Sequence, residues 1–398
     1  MLQSWFSRLQ TSRVEFGAAF LLSLVGLHKY LLGDFNNYLI FTGPFQNLLR
    51  HQTIYGPQPG LYVDTFKYSP AFAFLMGAFA WLPTWLGILA WNGLGAGVLL
   101  AGLRAWFLPQ PGGERLYRTA VTIVFLEALI TAQNLQSNNL IAGAILLALR
   151  ALQGQRPGQA AFWFVLCGFI KFYGAAAAIF FLFYPRKLRF LSMMGIWTAF
   201  FAMVPLLLVP PALLLDLYRS WLVVIHESKL GQLVSLLGIC ESWFGMAKTD
   251  ANLRILEGLG LLLFLLPLLR RSLWREQCYQ QRMLALFLLF IILFNKMAES
   301  PTYVLAVVGV ALWWTSLKNP SRLDQVLLGL VIVFTSLSPT DLFPRWLQKE
   351  VFVPYNIKAV PVVLVWLRLL TAIWLEPVDE APEPAASPSR EIAAEPGR

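Results

Sequence analysis

The stretch VEFGAAFLLSLVGLHKYLL (Val14–Leu32) runs straight into GDFNNY (Gly33–Tyr38). The first part is apolar enough, and at about 28 Å long enough, to cross the hydrocarbon core of a bilayer. The second part puts a carboxylate, Asp34, where the chain leaves the membrane. A group placed there can reach a lipid-borne molecule and still touch water.

Composition agrees with a membrane reading. Of 398 residues, 58% are hydrophobic and 13% charged, and the mean hydropathy is +0.62. Soluble domains carry about 25% charged residues. Fifteen Trp and thirty Phe suit long interfacial belts. The alternating segments of about ten residues that a barrel needs are absent. The fold class read from this is an all-α polytopic membrane protein.

The net charge of +10 carries no nucleic-acid signal, because the basic residues come in small groups between apolar runs, as topology determinants do. The first apolar run is long enough to stay as a span and lacks a small-residue cleavage pattern. Together with the lack of a targeting or retention signal, this points to a bacterial inner membrane.

Twelve spans are predicted, near 14–32, 86–107, 119–132, 140–152, 159–170, 172–184, 190–209, 252–270, 279–295, 301–317, 324–340 and 358–376. The apolar run 70–82 is too short to cross and reads as re-entrant or interfacial. With the N-terminus inside, every inner connection is basic: Arg8/Arg13, Arg104/Arg115/Arg118, Arg150/Arg156, Arg186/Lys187/Arg189, Arg270/Arg271/Arg275/Arg282 and Lys318/Arg322. Counting 70–82 as a span would place two of these groups outside, against the positive-inside rule. Residues 1–376 then form one transmembrane domain with both ends cytoplasmic. The acidic, Pro- and Ala-rich stretch 377–398 reads as a disordered cytoplasmic tail. Cys167, Cys240 and Cys278 fall in a span, an outer loop and an inner loop, so no disulfide is expected.

This topology gathers polar residues on the outer face. Asp34 reads as a general base for an acceptor hydroxyl, or else as a helix-ending or capping Asp. Lys171, in Gly168-Phe-Ile-Lys171-Phe-Tyr, interrupts a continuous apolar run. At mid-bilayer it would cost roughly 2.5–3.5 kcal/mol. At the junction of two short helices it becomes a partner for a lipid phosphate, or a snorkelling anchor. Lys67 and Lys296 are further phosphate candidates. Tyr68, Gln133, Asn134, Asn138, Glu227, Gln232 and Glu299 offer hydrogen bonds to sugar hydroxyls. Each has a plainer reading as a polar turn, a solvated loop helix or, for Lys296 and Glu299, a helical charge pair. His226-Glu227 has no histidine at 230, so that zinc motif fails, and no Walker loop or Cys-x-x-Cys is present.

The order of these stretches is similar to glycosyltransferase family 87, of the GT-C type. It is carried by Asp34 to Tyr38; Tyr68-Ser69-Pro70-Ala-Phe; Gln133-Asn134 with Ser137-Asn138-Asn139; Gly168-Phe-Ile-Lys171; and Glu299-Ser300-Pro301, over about 30–320. Departures are Asn-Leu-Gln-Ser-Asn-Asn for Gly-Gln-x-Asn, Lys171-Phe172 for Lys-Pro, and Thr302-Tyr303 for an aromatic-His signature. The resemblance implies a GT-C fold. It also implies an inverting transfer of a hexose or pentose from a polyprenyl-phosphate sugar to a lipid or glycan acceptor on the extracytoplasmic side. In it Asp34 would be the base, and Lys171, with Lys67, Arg50 or Lys296, would neutralise the phosphate. No cofactor is required. A divalent metal is compatible with the chemistry without being needed. The competing reading is a transporter or lipid-linked sugar flippase. That class is marked by inverted repeats or interrupted helices in matched positions, and neither is evident.

Overall fold

A computed structural model describes residues 2–227 and 234–375. Gln232 and the tail 377–398 lie outside the described residues. Among those described, every regular element is helical. The chain runs through α1 (Leu2–Leu31), α2 (Asn36–Leu49), α3 (Pro70–Leu75), α4 (Gly77–Ala80), α5 (Thr84–Phe107), α6 (Gly113–Gln133), α7 (Asn138–Gln153), α8 (Pro157–Ile170) and α9 (Phe172–Ala176). It continues through α10 (Lys187–Met203), α11 (Pro211–Glu227), α12 (Leu236–Phe244), α13 (Asp250–Leu265), α14 (Gln277–Leu293), α15 (Tyr303–Thr315), α16 (Arg322–Leu330), α17 (Arg345–Leu347) and α18 (Val360–Leu375).

Each predicted span coincides with helix, but length separates them. Among the described residues, six helical segments are long and apolar enough to cross a membrane: Gln10–Leu31, Thr84–Phe107, Gly113–Gln133, Lys187–Leu207, Asp250–Leu269 and Ile357–Leu375. Five others are shorter apolar helices (Asn138–Gln153, Pro157–Ile170, Phe172–Phe183, Gln277–Leu293 and Ser300–Thr315). The twelfth, predicted at 324–340, forms α16 and a π-helical continuation, Val331–Leu337. The run 70–82 folds as α3 and α4. At 1.5 Å per residue, Pro70–Ala80 covers roughly 16 Å, about half a hydrocarbon core. Helix α11 lies between the predicted spans 190–209 and 252–270, where no span is expected.

The short helices α14 and α15 sit at the centre, and three of the long segments, Gln10–Leu31, Lys187–Leu207 and Asp250–Leu269, lie at the margin. In α15 every residue from Tyr303 to Trp313 is buried, and α14 packs against it. By contrast α10 buries only Phe190 and Phe201, leaving Leu188, Leu191, Ile196 and Phe200 outward. Water would not tolerate such a surface and lipid does. Helices α5 and α7 cross where Gly102 meets Gly143. A Cβ on Gly143 would lie 2.2 Å from the Val98 carbonyl, so only glycine lets these backbones approach.

Candidate functional site

The site is built at one end of the bundle by loop segments that hold one another. Helix α1 stops because Gly33 takes φ +71. The Asp34 N–H then donates to the Lys29 carbonyl at 2.9 Å, and the Gly33 N–H to the Tyr30 carbonyl at 3.1 Å. This is a Schellman ending. Asn36 exchanges two 2.8 Å hydrogen bonds with the Val63 backbone, tying the start of α2 to the first loop. Ser69 caps α3, accepting from the Phe72 N–H at 3.1 Å, with Pro70 at the first helical position. The Ser69 hydroxyl donates to the Phe169 carbonyl of α8. So the Tyr-Ser-Pro stretch works as a cap that docks the loop beside Lys171.

Asn138 is the hub. It is fully buried, and its Nδ2 donates to the Pro301 carbonyl at 3.0 Å. Its Oδ1 accepts from Lys171 Nζ at 2.9 Å and from the Tyr173 hydroxyl at 3.1 Å. Thr131 also donates to the Pro301 carbonyl, at 2.7 Å. Three separated stretches of sequence, at 138, 171 and 301, therefore meet at one amide. Lys171 stands in the extended connection between α8 and α9, and among the described residues its ammonium hydrogen-bonds the Asn138 amide and no carboxylate.

Around Lys171 lies a cavity of about 920 Å³. Lys67, Lys171, Arg254 and Lys296 supply positive charge, and Asp64, Asp250, Glu257 and Glu299 supply negative charge. Phe41, Tyr68, Tyr173 and Trp221 give it aromatic walls. Ile225, Leu253, Leu261, Phe290, Ile291 and Phe294 add apolar lining. Burial pushes the Lys171 ammonium down to about 8, partly opposed by the nearby Glu299 charge. Burial also raises the Tyr68 hydroxyl well above its ordinary value, with Glu299 and Asp64 adding to the effect, so it stays a neutral donor. Lys296 donates to the Ile225 carbonyl at 3.2 Å, and Lys67 lies 3.9 Å from Asp64. Among the described residues no group of three His, Cys, Asp or Glu side chains is arranged to hold a metal ion. Cys167, Cys240 and Cys278 are free thiols.

The cavity thus brings together Lys67, Tyr68, Lys171, Lys296 and Glu299. Asp34, Gln133 and Asn134 are elsewhere, in a separate pocket of about 190 Å³ with Lys29. Asp34 is ion-paired to Lys29 and is 63% exposed. Asn37 lines both spaces, and its Nδ2 donates to the Asn134 carbonyl at 2.9 Å. Asn138 was expected to meet sugar, yet it lies behind the wall with its amide engaged by protein. Glu227 ends α11. Sequence reasoning passed over Asp64, Trp221, Arg254, Glu257 and Asn295. A usable signal was present for two of them: Arg254 and Glu257 put charges one turn apart near the start of an otherwise apolar helix. Gln136 Oε1 and Asn295 Nδ2, both on residues of this cavity, have no hydrogen-bond partner among the described residues.

No curated protein matches the chain. The model of glycosyltransferase family 87 matches residues 66–339. The match takes in Lys67, Tyr68, the 133–139 amides, Lys171 and Glu299, and begins downstream of Asp34. With most of its length matched, the chain belongs to glycosyltransferase family 87, as a membrane glycosyltransferase.

Proposed function

We propose that this glycosyltransferase uses a polyprenyl-phosphate sugar as donor, bound in the large cavity, and a hydroxyl of a lipid or glycan as acceptor. The observation that carries the reading is that one cavity brings the ammonium groups of Lys67, Lys171 and Lys296 together with an extensive apolar and aromatic lining. A lipid phosphate needs both. The proposal includes a GT-C fold with twelve crossing helices and a bacterial inner-membrane location. It sets the site on the extracytoplasmic face and both termini in the cytoplasm. Family membership supports transfer over the transporter or flippase reading.

In the reaction, the acceptor O–H gives its proton to a carboxylate and its oxygen bonds to the anomeric carbon. The bond from that carbon to the phosphate oxygen breaks, and its electron pair leaves with the polyprenyl phosphate. One displacement inverts configuration. The phosphate gains a full negative charge, and an ammonium held in place beforehand stabilises that charge without reorganising. Lys171 is assigned this role, with Lys67 and Lys296 beside it. Tyr68 and Glu299 are assigned to the sugar.

Asp34 is proposed as the base. A second reading, Glu299 as base, is favoured by one observation: Glu299 lines the large cavity and Asp34 lines the small one. The experiment is turnover of a panel of radiolabelled polyprenyl-phosphate sugars by protein in lipid, with Asp34→Asn and Glu299→Gln beside the wild type. Loss of the base should lower turnover by about 10²–10⁴-fold with donor binding kept. Such a loss in Asp34→Asn alone supports Asp34. Such a loss in Glu299→Gln alone transfers the role. Absence of both turnover and donor binding across the panel would sink the donor assignment.

A further inference from the structure

A second cavity, of about 550 Å³, adjoins the first, and Lys67, Lys296, Met297 and Glu299 line both. Its far wall comes from the segment that leads into α18: Gln348, Phe352, Val353, Asn356 and Lys358. Ser300 and Ser338 complete it. The volume lies within the ~300–1,000 Å³ of small-molecule sites.

The far wall has a definite chemistry. Asn356 is 8% exposed, and its Oδ1 has no hydrogen-bond partner among the described residues. The same holds for the buried Ser300 hydroxyl. Asn356 sits at φ +53, a backbone conformation that asparagine tolerates better than most side chains. The one ammonium in this wall, Lys358, is already matched, 2.7 Å from the fully buried Glu127. That leaves a neutral surface of amide and hydroxyl groups beside the apolar faces of Phe352 and Val353. The other charged groups of this cavity, Lys67, Lys296 and Glu299, belong to the lining it shares with the first. A sugar ring, with hydroxyls at its edge and C–H groups on its face, finds partners for both. Gln348, Phe352, Asn356 and Lys358 also lie beyond residue 339, where the family match ends.

We infer that the second cavity binds the acceptor through a neutral sugar head group, and that Asn356 and Ser300 select it. The inference rests on the glycosyl-transfer reading above, but a binding test separates the two. The full chain in lipid nanodiscs is titrated with methyl α-mannoside and methyl α-glucoside, followed by saturation-transfer difference NMR. Farnesyl phosphate is titrated separately as a probe of the first cavity. Asn356→Gly keeps the left-handed backbone free of strain and removes the amide; Ser300→Ala removes only the hydroxyl. The expected result is binding of at least one glycoside, weakened roughly tenfold by Asn356→Gly and about threefold by Ser300→Ala, with farnesyl phosphate affinity unchanged. No glycoside binding, binding indifferent to both variants, or a parallel loss of both ligands in both variants would overturn it. Glycoside binding that depends on Asn356, in a protein that ignores farnesyl phosphate, would keep the sugar site and remove the proposed donor.

Discussion

Lys171 and Lys358 are both lysines drawn out of water, and their partners differ in one respect. Lys358 is paired at 2.7 Å with Glu127, fully buried, and its ammonium lies 5.2 Å from the centre of the Tyr303 ring. Lys171 is held at 2.9 Å by Asn138, an amide, with the Tyr173 ring 6.0 Å away. The first lysine has its charge cancelled in place and serves to lock the segment before α18 to α6. The second is positioned without being neutralised, so its charge is left for a ligand. A half-buried cation whose side-chain hydrogen bond goes to a neutral amide, with Glu299 acting on it only through space, is costly to keep. That cost makes sense where an anion completes the site.

The largest expected effect breaks the first half of the comparison. Glu127→Gln or Lys358→Met leaves one buried charge without its partner, which costs about 3–5 kcal/mol. The thermal midpoint in detergent should fall sharply for either single change. The double substitution should recover most of the loss, because no charge is then left unpaired. A double variant as unstable as the singles would show that the pair's hydrogen-bonding geometry matters more than its charge.

Next comes the second half. Lys171→Met should leave stability close to wild type, since relief of the ammonium's desolvation offsets the lost hydrogen bond to Asn138 and the lost attraction of Glu299. Turnover should fall by about 10²–10³-fold, the size expected for losing a preorganised group at a developing negative charge. The pH dependence has a definite sign. With its pKa pushed down to about 8, Lys171 is charged below that value and loses its proton above it. A phosphodiester donor keeps its charge throughout, so donor affinity should weaken as pH rises through 8. Lys171→Arg, charged across the range, should flatten that profile even where it lowers the rate. A wild-type affinity that stays level from pH 7 to pH 10 would remove Lys171 from the phosphate site.

Most of the helical layout was legible, because apolar runs broken by short basic groups leave few alternatives in a bilayer. Lys171 stood out for the same reason: a lone charge in an apolar run must sit at a helix break. What stayed hidden depends on direction. Asp34 was correctly read as the point where α1 ends, but the Schellman turn at Gly33 and the ion pair with Lys29 set the carboxylate in a side pocket. Chain order does not report that. Nor does it say that the Asn138 amide is used inward, on the Pro301 carbonyl and on Lys171, since an amide looks alike facing sugar or backbone. Helix α11, Pro211–Glu227, is apolar enough to be helical, but Pro210 and Pro211 at its start and Asp216 and Arg219 within it break up the run that would mark a span.

The smallest expected effect converts one lysine into the other. Asn138→Asp places a carboxylate where Lys171 now meets an amide, and so gives Lys171 the kind of partner that Lys358 has. The substitution is nearly isosteric, but it removes the donor to the Pro301 carbonyl. Some stability is lost there, of order 1 kcal/mol. The new carboxylate raises the Lys171 pKa and cancels its charge. Donor affinity should therefore fall, by roughly tenfold, and the decline above pH 8 should disappear. Asn138→Ala, which also loses the Pro301 bond but adds no charge, separates the two effects. It should share the stability loss and keep a decline with rising pH. Equal donor affinity in Asn138→Asp and Asn138→Ala would mean that Asn138 acts by fixing geometry alone, and that leaving Lys171 without a carboxylate partner is incidental.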